Sequence, residues 1–268
     1  MQVQIGCEFV YNAQVETHAV LQVEPQLEGG VRALDERWAN VPQIAMSRYV
    51  DSFGNICRRT TMPAGRSVLH YDALLELPRV ADPQCLDAPE VAPQDLPNEA
   101  LVFTLPSRFC PSQELANEAW RLFGSTPSGW TRVQTICDWV HNEITFGYDD
   151  TSPLVTAVDV FNRRAGVCRD FTHLAVTFCR ALNIPARYVF GYLPDIDVPV
   201  APEPMDFAAW MEVFLGGSWW TFDPRNNQAR AGRVLIARGR DALDVAMVST
   251  YGGPELVSMT VWADEAQP

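Results

Sequence analysis

Residues 165–193 read AGVCRDFTHLAVTFCRALNIPARYVFGYL and residues 206–226 read DFAAWMEVFLGGSWWTFDPRN, and these two stretches decide the fold. In the first, Phe171, Leu174, Ala175, Phe178 and Leu182 recur at intervals of three and four, the spacing of an amphipathic helix with one buried face. Ala165-Gly166 breaks the chain just before it, so Cys168 falls in the first turn. Free amide hydrogens and the positive end of the helix dipole favour thiolate there and can hold a developing oxyanion. Cys179 lies well inside the same helix and reads as core. In the second stretch Gly216-Gly217 separates two aromatic-rich runs, a two-residue hairpin signal. Pairing Leu215 with Ser218 sets Trp210 opposite Asp223 and position 208 opposite Arg225, so 208 and 223 become diagonal neighbours roughly 7 Å apart at Cβ. A histidine at 208 could hydrogen-bond Asp223 and present its other nitrogen to a thiol, with acid orienting base and base activating nucleophile. The residue is Ala208, which can do neither.

No other histidine takes that place. His173 is five residues along the helix from Cys168, about 140° around the axis and roughly 7.5 Å along it, and points elsewhere. His18 and His70 fall in the N-terminal part, and His141 sits on the polar side of a helix.

Outward from this core, Val3, Ile5, Cys7 and Phe9 alternate with polar or small residues, the period of a half-buried strand. Further strands are expected over 19–23, 48–51, 56–61 and 67–77, with Phe53-Gly54-Asn55 as a hairpin turn, so residues 1–77 read as an antiparallel β-rich domain. Pro78, Pro83, Pro89, Pro93 and Pro97 make 78–100 an extended connection over the surface and place the boundary there. Helices are expected over 115–122, 131–144 and 156–163, so 101–268 reads as a second, helix-containing unit.

At 268 residues and 47% hydrophobic content the chain can bury a sizeable core. A net charge of −13, from 20 basic against 33 acidic residues, argues against nucleic acid or an anionic membrane as main partner. The N-terminus has no signal-peptide pattern and no stretch reaches the roughly 18 apolar residues of a membrane helix, from which a cytoplasmic location is expected. The seven cysteines form no CxxC pair, so neither a disulfide framework nor a zinc site is indicated.

With Gly166-Val167-Cys168-Arg169-Asp170-Phe171, the run Asn183 to Val189, Gly191-Tyr192, Ala209-Trp210 and Thr221-Phe222-Asp223-Pro224 in place, the chain resembles the bacterial transglutaminase-like cysteine protease family. The resemblance spans about residues 100–265, and the first hundred resemble the β-rich region often attached to that core. It implies an α+β fold with a papain-like core, and a triad of Cys168 as nucleophile, position 208 as base and Asp223 as orienting acid. Family members read Asp-Phe-His-Ala-Trp where this chain reads Asp206-Phe207-Ala208-Ala209-Trp210, without a gap. Two explanations compete: a deliberate His-to-Ala substitution that silences an enzyme, favoured by the intact motif around it, and a natural pseudoenzyme that binds a peptide or protein tail.

The chemistry implied is attack by Cys168 on a peptide or protein amide and a thioester resolved by water or an amine, as in a peptidase, deamidase or transamidase. The Cys168 amide and the Tyr148 side chain are the oxyanion candidates, with packing the competing role for Tyr148. Of Trp210, Trp219 and Trp220, one is assigned to a substrate groove, and Arg169 and Asp170 either pair with each other or help to position substrate. Asp149, Asp150, Asp195 and Asp197 would favour an amine-bearing substrate if they rim the cleft. No cofactor or metal is implied.

Overall fold

A computed structural model describes residues 1–147 and 152–266. The N-terminal part consists of β1 (Gln2–Ala13), β2 (Thr17–Leu21), β3 (Arg32–Trp38), β4 (Met46–Val50), β5 (Ile56–Met62) and β6 (Gly65–Glu76). The helices α1 (Asn98–Leu101), α2 (Ala116–Phe123) and α3 (Trp130–Glu143) follow, then β7 (Thr145–Phe146), α4 (Ala157–Arg163), β8 (Ala165–Gly166) and α5 (Cys168–Ala181). Strands β9 (Ala186–Tyr192), β10 (Ala208–Leu215), β11 (Ser218–Phe222), β12 (Val234–Gly239), β13 (Val248–Tyr251) and β14 (Glu255–Glu265) complete the chain. The architecture is α+β, as expected, with antiparallel sheets and more strand than helix. None of the described helices is long and apolar enough to cross a membrane.

In β1 the residues Val3, Ile5, Cys7 and Phe9 are all buried, as their alternation requires. The strand is central in a sheet of order β14-β1-β6-β3, and a second sheet runs β13-β2-β5-β4. The last two strands therefore belong to the N-terminal sheets: Gly6 pairs with Trp262 and Ala19 with Thr250. Strand β3, not foreseen, is an edge strand whose sequence RALDERW is largely exposed and joined to β6 by ion pairs such as Arg32–Glu76 at 3.1 Å. Its side chains answer to solvent more than to a core, so they lack the alternation that marks a strand in sequence.

The sheet that carries the site has the order β11-β10-β9-β12. Gly216 and Gly217 both have positive φ, 58° and 87°, as a tight turn with the twist of its flanking strands demands. Leu215 pairs with Ser218 and the ladder runs to Met211–Phe222, the expected register. One end of the sheet, at Ala186, Met211, Val213 and Leu215, packs in a cluster with α3 and α5. The other end, at Tyr188, Phe190, Tyr192, Phe207 and Ala209, shares a cluster with Phe9, Val23 and Tyr71 of the N-terminal part. Tyr192 Oη donates to the Val23 carbonyl at 3.0 Å across this junction. The two parts therefore share a continuous apolar interior.

The proline-rich connection is a strap rather than a loose surface loop, and it ends in the short helix α1. Its Pro89 carbonyl accepts the Gly216 amide at 2.8 Å, and its Ala88 carbonyl accepts the Trp130 amide at 3.0 Å. Asp82 accepts both the Arg230 amide and the Arg233 guanidinium, each at 2.9 Å. Prolines suit such a path because it runs extended; Ala88 and Pro89 tie it down through their carbonyls, while the Asp82 amide donates to the Arg230 carbonyl at 3.0 Å.

Candidate active site

Cys168 is the first residue of α5. The Asp170 carboxylate reaches back to accept the Val167 amide at 3.1 Å, capping the helix start. Gly166 is needed beside it, since a Cβ there would sit 2.6 Å from the Asp170 Cβ. Arg169 braces the same carboxylate at 2.8 Å and donates to the Ser152 carbonyl at 2.8 Å. Of the two readings for Arg169 and Asp170, the structure therefore gives the mutual pair, and neither lines the cleft at Cys168.

The Cys168 sulfur lies against the edge of β10, with its thiol 3.8 Å from the Phe207 carbonyl. Phe207 is locked by Phe190 and Tyr192, with ring centroids at 4.8 and 5.2 Å, which fixes the carbonyl that meets the sulfur. Burial is the largest influence on the thiol and Asp206 adds to it; together they push its pKa up to about 11 against the pull of the Ala209 and Arg169 amides and of Arg225. The helix start alone therefore does not deliver the thiolate that its position suggested: burial outweighs the dipole.

Cys168 and Ala208 line one cleft of about 110 Å³, together with Phe146, Met205, Asp206 and Arg225. Strand pairing of Ala208 with Gly191 and Trp210 with Val189 places 208, 210 and 212 on one face of β10. Asp223 is the first residue beyond β11 and is buried. Its Oδ1 accepts the amides of Arg225 and Asn226 at 3.1 and 2.9 Å. Its Oδ2 accepts Asn226 Nδ2 at 2.8 Å and Arg233 Nη2 at 2.9 Å. Burial works to raise the Asp223 pKa, but Arg233 and the Asn226 donors outweigh it and hold the carboxyl below its usual range. Asp223 is thus a charged, fully satisfied carboxylate with no histidine to orient.

Trp210 does not line the groove. It is 2% exposed and lies under the Arg233 guanidinium at 4.9 Å. Trp219 packs edge-on to Phe103 and Phe214, and Trp220 edge-on to Trp130, so none of the three borders the Cys168 cleft. On a paired strand, large aromatics went to cores on either side of the sheet, and the aromatic residues of the cleft are Phe146 from β7 and Phe207. Tyr148, with Asp149 and Asp150, lies outside the described residues. His173 is a core residue: its Nε2 accepts the Ala242 amide at 3.1 Å, its ring stacks on Phe109, and burial holds it well below its ordinary pKa. His141 bonds the Arg225 carbonyl at 2.8 Å through Nδ1. Asp195 does line the cleft but pairs with Arg230 at 3.3 Å, and Asp197 is exposed beside Arg79.

Sequence reasoning passed over Arg233, which ties Asp82 of the strap to Asp223. It also passed over Arg225 and Asn226, whose only signal was their place directly after the acid.

A family model described as transglutaminase-like superfamily matches residues 119–224. The crystal structure named "Putative Cysteine Protease from Cytophaga hutchinsonii" superposes with a TM-score of 0.89 at 30% identity, covering 100% of this chain and 91% of that one. Among curated proteins, an uncharacterized protein of Mycobacterium leprae is 33% identical over 119 residues, 43% of this chain and 42% of the relative. An uncharacterized protein of Mycobacterium tuberculosis is 32% identical over 123 residues, 42% of this chain and 39% of the relative. The chain therefore spans about two fifths of the length of the curated relatives it matches.

Proposed function

For this chain, which belongs to the transglutaminase-like superfamily, we propose a site for cysteine-dependent acyl transfer from a peptide or protein amide, held nearly inactive by Ala208. The observation that carries this reading is the convergence of three elements: Cys168 opens α5 in the same cleft as position 208, and the hairpin partner of that strand runs directly into the buried, ionised Asp223.

With a base at 208, the Cys168 thiol would pass its proton to that base as the sulfur attacks the amide carbonyl carbon. The Cys168 backbone amide, without a partner within the first turn, is the oxyanion donor. The carbon–nitrogen bond then breaks, the amine departs with the proton, and a thioester remains. Water or a second amine attacks that thioester, the carbon–sulfur bond breaks, and the thiol regains a proton. Alanine at 208 removes the proton acceptor, a loss on the order of 10⁴ to 10⁶ in rate. The thiol at about 11 agrees with that loss.

A second reading, a module that binds a peptide or protein without turnover, is favoured by one feature: all four hydrogen bonds to Asp223 are supplied without a histidine. One experiment separates the two. Ammonia release and hydroxamate formation from glutamine-containing peptides are measured for the chain and for A208H, with C168A as blank. Turnover that appears with A208H and vanishes in A208H/C168A supports acyl transfer. A folded A208H that remains inert toward both acceptors removes that reading and leaves the binding one.

A further inference from the structure

Most buried arginines near the site are neutralised. Arg233 pairs with Asp82 and Asp223, Arg230 with Asp195, and Arg187 and Arg238 with Glu212. Arg225 differs. It is half-buried in the cleft with Cys168, and among the described residues no carboxylate lies within ion-pair distance of it. Its guanidinium rests on the Phe146 ring at 4.2 Å, and Nη1 donates to Asn226 Oδ1 at 2.9 Å. Its backbone is held on both sides, by Asp223 Oδ1 at 3.1 Å and by His141 Nδ1 at 2.8 Å. The two acidic neighbours that remain are engaged elsewhere or open to water: Asp206 accepts the Phe207 amide at 2.7 Å, and Glu203 is exposed.

A cation left unpaired at a half-buried site loses hydration without gaining an ionic partner, a cost that a ligand anion can offset. An aromatic seat keeps a guanidinium flat and leaves its edge free for a carboxylate to accept two parallel hydrogen bonds. Among the described residues Arg164 and Arg180 also lack a carboxylate partner, but Arg180 is held by the carbonyls of Leu105, Ala186 and Arg240, and neither lines the cleft, so Arg225 is the arginine without an ionic partner that faces Cys168.

We propose that Arg225 is a carboxylate-binding element of the Cys168 cleft, so that the acyl donor carries a carboxylate close to the amide that the sulfur attacks. This deepens the acyl-transfer reading and rests on it for the word donor, whereas the carboxylate site itself does not need turnover.

Iodoacetate and iodoacetamide test it on the protein as it stands. Both form a sulfur–carbon bond to the same thiolate and release iodide, so their rate ratio is independent of how far Cys168 is ionised. The ratio is read at pH 9 by mass spectrometry of the Cys168 peptide. Glutathione serves as the external reference and half-buried Cys85, whose thiol meets the Asp87 carboxylate at 3.3 Å, as an internal one. The expected iodoacetate-to-iodoacetamide ratio at Cys168 is about tenfold above that of glutathione, the size of a charge-assisted contact. It should fall within about twofold of glutathione in R225Q and keep part of its excess in R225K, which preserves the charge and loses the fork. At Cys85 the ratio should lie below that of glutathione.

A Cys168 ratio equal to that of glutathione, a ratio unchanged in folded R225Q, or failure of both reagents to reach Cys168 would each overturn the proposal. Should R225Q not fold, the unsubstituted chain and R225K still decide it. Because neither reagent needs a base at 208, an inert A208H with a high ratio leaves the carboxylate site standing and removes catalysis. An active A208H with a glutathione-like ratio does the reverse.

Discussion

Replacing Ala208 by histidine should bring the Cys168 thiol from about 11 to below about 7.5, the upper end of the range for thiols paired with a cationic neighbour. At pH 7.5 the thiolate fraction would then rise from about 3 in 10⁴ to about one half, a gain of about 1,600-fold. A thiolate of lower basicity is a weaker nucleophile, and a Brønsted slope of about 0.45 over that interval takes back about 40-fold. The net expectation is alkylation by iodoacetamide at pH 7.5 about 40-fold faster in A208H than in the unsubstituted chain. The geometry adds a condition, because the four donors on Asp223 leave no vacant position for an imidazole N–H. The neutral Asn226 amide binds a carboxylate more weakly than Arg233 does, so it should be the one displaced. A208H/N226A should therefore label at least as fast as A208H. Labelling rates from pH 6 to 11, followed on the Cys168 peptide, give the midpoint directly. A folded A208H whose labelling still titrates near 11 would show that an imidazole on β10 does not reach the sulfur, and the triad geometry argued from the hairpin would fail.

Gly166→Ala should unseat the Asp170 cap, because its Cβ meets the Asp170 Cβ at 2.6 Å; a loss of about 1–2 kcal/mol in urea denaturation is expected, and an unchanged midpoint would refute the capping role. Phe207→Ala empties a stacked core position below the cleft and should cost about 3–5 kcal/mol, with a loss under 1 kcal/mol counting against the shared apolar cluster. Asp223 and Glu212 are both held below the usual carboxylate range despite burial, Glu212 by Arg238 and Arg187. Their stabilisation is present above the unfolded value of about 4 and is lost as pH falls toward the folded one, so Tm should drop steeply below about pH 4. Burial raises Asp206 instead, so its contribution is present at low pH and lost as pH rises through its folded value. Asp206→Asn should accordingly raise Tm at pH 7, and a fall there would contradict the sign.

The helix and the hairpin were legible because their periods are local: three-and-four spacing from Phe171 to Leu182, and two glycines between aromatic runs. The aromatic assignment was not, since the same alternation that marks a strand says nothing of which side becomes the cleft, and Trp210 went under Arg233. Nor was the effect of burial on Cys168 legible, because it arises from Phe207, Tyr188 and the apolar cluster shared by the two parts, packed against a helix start that looks open in sequence. The pairing of β13 and β14 with β2 and β1 joins residues more than two hundred positions apart, beyond the reach of any local period.

Asp223 and Cys168 differ in what each says about catalysis. Asp223 compensates Arg233, accepts three further donors and ends β11, so the fold needs a carboxylate there whether or not the site turns over. Removing one partner of a buried ion pair typically costs about 3–5 kcal/mol, and since Arg233 keeps Asp82, Asp223→Asn should fall near 3 kcal/mol. Cys168 is half-buried, and its thiol has only weak polar contacts, a 3.8 Å approach to the Phe207 carbonyl and the amides of Ala209 and Arg169. Cys168→Ala should therefore cost no more than about 1 kcal/mol in the same denaturation experiment. If the two costs separate in this way, packing accounts for the aspartate but not for a sulfur at the head of α5, and it is the cysteine that speaks for chemistry. If Cys168→Ala is as damaging as Asp223→Asn, the cysteine too is explained by the fold, and the acyl-transfer reading loses the residue on which it depends.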